Sequence, residues 1–133
     1  MGTENAFVGD IKDLPHPLDL LDEERRRRAE EDPGILAVFD VWASPEPMPS
    51  ASEAAEIAGY QHQARTFRRR FKEATALAYR RLLVRYKAVL GPALIARGVP
   101  YDRVAEWLGF GDPSGVRRMF GRVLGQPPSS FRT

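Results

Sequence analysis

The sequence predicts an all-α fold of about seven helices, because apolar residues recur at helical spacing and helix-start signals precede several of those runs. Near the C-terminus the apolar side chains fall at i, i+3, i+4 and i+7, on one helical face: Val116, Met119, Phe120 and Val123. Three segments begin with a capping side chain followed by proline or, three residues later, by glutamate: Asp32-Pro33, Ser50-x-x-Glu53 and Asp112-Pro113.

Length and composition suit one domain with its own core. The chain has 133 residues and no cysteine, which excludes a disulfide framework and thiol chemistry. No apolar run approaches the length of a membrane span. The first residues lack the basic start and apolar core of a signal peptide, so we expect a cytoplasmic protein.

The net charge of +2 conceals two oppositely charged segments. Residues 1–49 carry five basic and twelve acidic side chains, whereas the rest of the chain carries fifteen basic and six acidic ones. A basic segment favours a polyanion as its partner, and the acidic front does not.

The front of the chain is expected to be an acidic segment, residues 1–31, that is partly disordered or forms one solvated helix. Residues 1–19 are rich in Pro and Gly and lack periodicity, which is typical of a loose tail. Residues 18–31 have helix-supporting i,i+4 pairs such as Glu24 with Arg28. The acidic neighbours of Arg25 to Arg28 favour a solvated helical face over a nucleic-acid arm.

From residue 32 onward the sequence predicts one helical domain. Asp32-Pro33 opens an apolar helix, and the prolines of residues 44–49 end it in a linker. A first helix-turn-helix is predicted at about 50–74, a linker helix at about 77–96 and a second helix-turn-helix at about 100–124. Within the linker helix, Gly91-Pro92 is expected to produce a kink.

The second helix pair has the clearest pattern. Gly109 stands where its first helix must stop, and Asp112-Pro113 opens the next one. The apolar stripe of that helix leaves Arg117 and Arg118 on the opposite face, with Arg122 one turn further on. An ordinary αα-hairpin would also give the apolar pattern, but exposed arginines on the second helix suit contact with phosphates and base edges.

Residues 98–132 closely resemble the C-terminal signature of the AraC/XylS transcription regulators. The resemblance rests on the run Gly-Phe-x-Asp-x-Ser-x-Val-x-Arg-x-Phe from Gly109, followed by Gly125, Pro128 and Phe131-Arg132. Residues 50–97 resemble the first unit more weakly, and there Phe67-Arg68-Arg69-Arg70-Phe71 has the spacing of a first recognition helix, so that the resemblance covers roughly residues 34–132. The resemblance implies two DNA-binding helix-turn-helix units, of the MarA-like stand-alone type, and a transcription activator.

Three departures from the family pattern affect the expected docking. The stretch from Gly59-Tyr60 to Phe71 is about two residues longer than usual, and Gln61 stands where a capping Ser is common. Gly91-Pro92 lies inside the linker helix. The second recognition helix begins Pro113-Ser114-Gly115, with little side chain to reach a base.

The resemblance and the helical faces together identify candidate contact residues. Those expected in the major groove are Arg65, Arg68 and Arg69 of the first unit and Ser114, Arg117 and Arg118 of the second. Those expected on phosphates are Arg70, Lys72 and Arg122. Arginine suits guanine because its fork matches O6 and N7 together. The alternative for each arginine is a solvated charge, or a salt bridge to an acidic residue such as Glu73.

The residues do not suggest an enzyme. His16 and His62 are far apart, belong to no ligand-spaced cluster, and no phosphate-binding loop is present. We therefore expect no catalytic residue, metal, cofactor or small-molecule ligand. The expected partners are double-stranded DNA and RNA polymerase, with the chain a monomer or weak dimer. The alternative is a helix-turn-helix protein-interaction module that acts as a co-regulator on RNA polymerase or another transcription factor.

Overall fold

A computed structural model describes residues 13–131, and within that range it contains seven α-helices and no strand. The helices are α1 (Glu23–Glu30), α2 (Pro33–Trp42), α3 (Ala51–Ile57), α4 (Ala64–Thr75), α5 (Tyr79–Ala96), α6 (Tyr101–Trp107) and α7 (Pro113–Met119). A π-helical segment, Phe120–Leu124, continues α7, and 3-10 turns cover Pro17–Leu20 and Pro128–Phe131. The all-α prediction of about seven helices is thus confirmed for these residues.

The predicted helix starts form as expected, since each capping side chain bonds to the first turn. The Asp32 carboxylate accepts hydrogen bonds from the amides of Gly34 and Ile35. Ser50 and Glu53 form a reciprocal capping box at the start of α3. Because these bonds are local, the sequence alone predicts them.

The chain forms two compact units. The N-terminal unit comprises residues 16–44 and 49–86, and the C-terminal unit comprises residues 45–48 and 87–131 with 13–15. Helix α5 contributes to both, since it is continuous from Tyr79 through Gly91-Pro92 to Ala96.

Residues 17–30 are part of the N-terminal unit, although a loose tail was expected for residues 1–19. Leu18 is buried in the 3-10 turn, and Ala29 is buried on α1, which contacts α2 and α4. The other side chains of α1 are exposed, as expected for a solvated helix, and Arg28 pairs with Glu24 at 2.8 Å. Residues 1–12 of the expected tail lie outside the described part of the chain.

The core of the N-terminal unit is a cluster of aromatic rings. Trp42 stacks on Tyr86 with ring centroids 5.8 Å apart, and Phe71 meets Tyr79 edge-on at 5.2 Å. The Tyr79 hydroxyl accepts a hydrogen bond from Trp42 Nε1 at 3.1 Å and donates one to the Pro49 carbonyl at 2.8 Å. Burial raises the pKa of Tyr79 far above its ordinary value, so its phenol stays neutral.

In the C-terminal unit, Gly91 makes room for a buried phenylalanine. A Cβ at Gly91 would lie 2.9 Å from Cε1 of Phe120, closer than carbon atoms normally pack. Phe120 is fully buried and meets Phe131 with ring centroids 5.5 Å apart. The glycine beside Pro92 therefore has a packing role that the local sequence does not reveal.

One residue assigned to an apolar face from the sequence is exposed. Val123, in the π-helical segment, is 42% exposed. For Val123 the physical reason is the π-helical segment, whose wider turn moves residues after Met119 off the 3.6-residue repeat.

Candidate nucleic-acid interface

Helix α4 buries one side and presents cations on another. Phe67, Phe71 and Thr75, spaced i, i+4 and i+8, are buried. Four exposed cations are spaced i, i+3, i+4 and i+7, which places them on a common helical face: Arg65, Arg68, Arg69 and Lys72. We call these four residues the basic stripe.

The side chains of the basic stripe make no hydrogen bond or ion pair with any residue in the described range. In contrast, three arginines of α1 are held by neighbouring acidic residues: Arg25 by Asp22, Arg26 by Glu30 and Arg28 by Glu24. The guanidinium and ammonium donors of the stripe are therefore available to a partner that offers acceptors.

Arg70 lies apart from the stripe. Its guanidinium carbon is 5.8 Å from the centroid of the Tyr60 ring, within the range of a cation–π contact. It also lines an open cleft of about 530 Å³ together with Arg28, Asp32, Arg69, Glu73 and Ala74. Arg69 thus belongs to both the cleft and the stripe, whereas Arg70 lines the cleft without belonging to the stripe.

The turn that leads into α4 has an unusual backbone. Gly59, two residues after the end of α3, has φ 92°. The Tyr60 amide donates to the Ala55 carbonyl at 2.7 Å, as in a Schellman cap. His62 then adopts φ 59°, and Gln63 precedes α4 without a side-chain capping bond. The turn spans residues 58–63, one residue more than the corresponding turn at 108–112.

Helix α7 starts with a capping network that α4 lacks. Asp112 accepts hydrogen bonds from the amide and the hydroxyl of Ser114, and these bonds lower the pKa of the Asp112 carboxyl. Arg118 Nη1 donates to Ser114 Oγ at 3.3 Å. A Cβ on Gly115 would lie 2.9 Å from the Phe110 ring, so this glycine lets the ring pack under the helix.

The two helix pairs, α3 with α4 and α6 with α7, have similar lengths but different surfaces. Helix α4 has 12 residues and ends at left-handed Ala76, while α7 has seven, its π-helical continuation has five, and they end at left-handed Gly125. At an offset of 49 residues, the positions of the stripe in α4 correspond to Ser114, Arg117, Arg118 and Gly121. Helix α7 therefore has two cations where α4 has four, and Arg122 is exposed in the π-helical segment beyond them.

A family model described as a helix-turn-helix domain matches residues 55–133, more than half of the chain. The chain belongs to the AraC/XylS family. As a member it is a DNA-binding transcription regulator, and its partner is double-stranded DNA. No curated protein and no solved structure matches this chain significantly.

Two other findings concern metal binding and membrane insertion. Across residues 13–131, no cluster of three or more His, Asp or Glu side chains is arranged to hold a metal ion. In the same range no helix combines the length and the apolar character needed to cross a membrane.

Several residues that position α4 were not singled out from the sequence. Thr75 Oγ1 donates to the Phe71 carbonyl at 2.9 Å and accepts from the Leu77 amide at 3.2 Å, which fixes the turn into α5. The ring centroids of Tyr79 and Phe67 are 5.7 Å apart, so Tyr79 supports the buried side of α4. An isolated Thr or Tyr gives no periodic signal, and these partners become evident only in three dimensions.

Proposed function

We propose that this AraC/XylS domain recognises a specific duplex sequence with α4 and α7 as its two recognition helices and activates transcription. The observation that carries the proposal is the basic stripe, four exposed cations without a partner in the described range, on the second helix of the first unit. A helix of this kind fits the major groove of B-DNA. Arg117 and Arg118 of α7 support a second contact at the equivalent position.

The two helices contribute unequally in this proposal. Arg65, Arg68 and Arg69 have long side chains that reach base edges, so α4 supplies most of the sequence specificity. Helix α7 presents Ser114 and buries Gly115, so its contribution is mainly anchorage through arginines on phosphates.

The roles of the remaining cations follow from their positions. Lys72 and Arg122 are proposed to contact phosphates at the far ends of the two helices. Arg70 contacts a phosphate only if it leaves the ring of Tyr60. We further propose RNA polymerase as the protein partner, a monomer or weak dimer on DNA, and the cytoplasm as the location.

The salt dependence of binding tests DNA recognition. The dissociation constant of a fixed duplex is measured by fluorescence anisotropy at several salt concentrations. Affinity should fall steeply, with a log–log slope of about −0.9 for each phosphate contact. A slope near zero contradicts direct DNA binding and favours a protein contact instead.

Two single substitutions then separate the proposed roles. Arg69→Ala should cost roughly 1–3 kcal/mol on the preferred site and relax the preference at one base position. Arg122→Ala should weaken binding to all sequences alike and reduce the salt slope by about 1. An equal loss on all sequences for Arg69→Ala reassigns Arg69 to a phosphate.

A base-substitution scan of the bound site tests the inequality of the helices. Single mismatches should cost about 1–3 kcal/mol in the half bound by α4 and much less in the other half. Equal costs in both halves contradict the proposed division of roles.

The second candidate function is a protein-interaction module that acts on RNA polymerase or another transcription factor. The observation that favours it is the cleft beside α4, which mixes acidic Asp32 and Glu73 with three arginines and thus suits a protein segment of mixed charge. This function predicts binding that is weakly sensitive to salt and unchanged by Arg65→Ala or Arg68→Ala.

A further inference from the structure

We infer that the basic stripe selects a DNA half-site with guanine at two positions about two base-pair steps apart. The inference rests on the proposed function and adds the base identity. Arg65 and Arg69 are one helical turn apart, about 6 Å along the axis of α4 at 1.5 Å per residue. Stacked bases are about 3.4 Å apart, so the two arginines reach bases roughly two steps apart.

Guanine follows from the hydrogen-bonding character of the stripe. All four of its side chains are cationic donors that pair with no acceptor among residues 13–131. Guanine presents two adjacent acceptors, N7 and O6, in the major groove, whereas adenine and cytosine each present an amino donor there. A surface that carries only hydrogen-bond donors can pair with both acceptors of guanine. It leaves the amino groups of adenine and cytosine without an acceptor.

Glu73 is the acidic residue of α4 that would compete with a base for the Arg69 guanidinium. It lies one turn beyond Arg69, and both line the same cleft. The two side chains form no ion pair in this structure, so the Arg69 guanidinium is free to turn towards a base. If Glu73 nevertheless restrains Arg69 in solution, Glu73→Gln should strengthen guanine selection.

Helix α7 does not offer the same pair of readers. Ser114 and Gly121 replace two of the four cations, and Arg118 donates to Ser114 Oγ. The guanine requirement should therefore be confined to one half of the bound site. This asymmetry provides an internal control, because both halves are present in every DNA probe.

The experiment begins with selection of bound sequences from random duplex DNA at fixed salt, using the full chain. Each guanine of the selected site is then replaced singly by 7-deazaguanine, which lacks the N7 acceptor but keeps its Watson–Crick pairing. We expect about ten-fold weaker binding at two positions in one half, in keeping with the loss of a bidentate base contact. Replacement of adenines by 7-deazaadenine should change affinity less than two-fold.

Matched variants assign the two positions. Arg69→Lys keeps the charge and the salt slope but replaces the planar fork by a single rotatable ammonium, so it should reduce sensitivity to 7-deazaguanine at one position. Arg69→Gln should shift the selected base at that position from guanine towards adenine. The equivalent change in α7, Arg118→Lys, should leave the sensitivity to 7-deazaguanine at these two positions unchanged. Thermal melts of all variants should match the wild type, because these side chains are exposed.

The outcomes separate this inference from the proposed function. If a duplex is bound with a steep salt dependence but no 7-deazaguanine costs more than two-fold, the guanine inference is wrong and DNA binding stands. If adenine or thymine dominates the half bound by α4, the inference is likewise overturned. If no duplex is bound even at low salt, the proposed function fails and the inference fails with it.

Discussion

At the scale of single residues, Asp112 links the start of α7 to pH. Hydrogen bonds from Ser114 hold the pKa of the Asp112 carboxyl below its ordinary value. A depressed pKa contributes stability above the ordinary aspartate range, and that stability is lost as pH falls through the folded-state pKa.

We therefore expect the C-terminal unit to lose stability as the pH falls below the ordinary aspartate pKa of about 3.9. Asp112→Asn keeps a capping oxygen and should make the free energy of unfolding less dependent on pH in this window. Urea titrations at several pH values give the slope, and an unchanged slope in the variant shows that other carboxylates dominate.

A second residue-scale prediction concerns the buried hydroxyl of Tyr79. Tyr79→Phe removes the partner of both Trp42 Nε1 and the Pro49 carbonyl, which leaves a donor and an acceptor unsatisfied in the core. We expect a loss of about 1–3 kcal/mol in unfolding free energy with an unchanged m-value. Tyr60→Phe is the control, because this hydroxyl has no hydrogen bond in the described range. Equal losses in both variants would contradict a specific role for Tyr79.

At the scale of elements, α4 and the π-helical continuation of α7 end in the same left-handed conformation with different residues. Ala76 has φ 66° and Gly125 has φ 68°. Alanine is strained there, whereas glycine is not. We expect Ala76→Gly to stabilise the chain by up to about 1 kcal/mol and Gly125→Ala to destabilise it by a similar or larger amount.

Denaturant midpoints of these two variants test the prediction. A Cβ on Gly125 would meet no atom within 4 Å, so the expected loss comes from the backbone conformation and not from a clash. A stabilised Gly125→Ala variant would show that the αL ending is not required in solution.

At the scale of the whole molecule, Pro92 lies in the helix that continues from one unit into the other. It lacks the amide that would bond to the Ala88 carbonyl, which favours a bend in α5. Pro92→Ala should stabilise the helix by up to about 3 kcal/mol. If the bend matters for docking, it should also weaken binding to a duplex that contains both half-sites.

The measurement compares affinities for the complete site and for the half-site bound by α4. Binding of the half-site alone should be unchanged in Pro92→Ala, because α4 lies within the N-terminal unit. Unchanged or improved affinity for the complete site would show that the bend has no role in docking.

Features that depend on near neighbours were predictable from the sequence alone. Helix starts at Asp32, Ser50 and Asp112 are set by side chains that bond two or three residues away. The spacing of the basic stripe follows from the helical repeat, so its common face was predictable once α4 was recognised. The duplication of the helix-turn-helix is likewise a pattern along the chain.

Features that depend on distant partners became evident only in three dimensions. Arg70 belongs to the same run of arginines as Arg69, but its place over Tyr60 depends on the turn between α3 and α4. The sequence suggested a kink at Gly91-Pro92, whereas the packing role of Gly91 depends on Phe120, far along the chain. The burial of Ala29 likewise reflects the packing of α1 against α2 and α4. Local periodicity fixes which side of a helix is apolar, but the element that covers that side is set by how the rest of the chain packs.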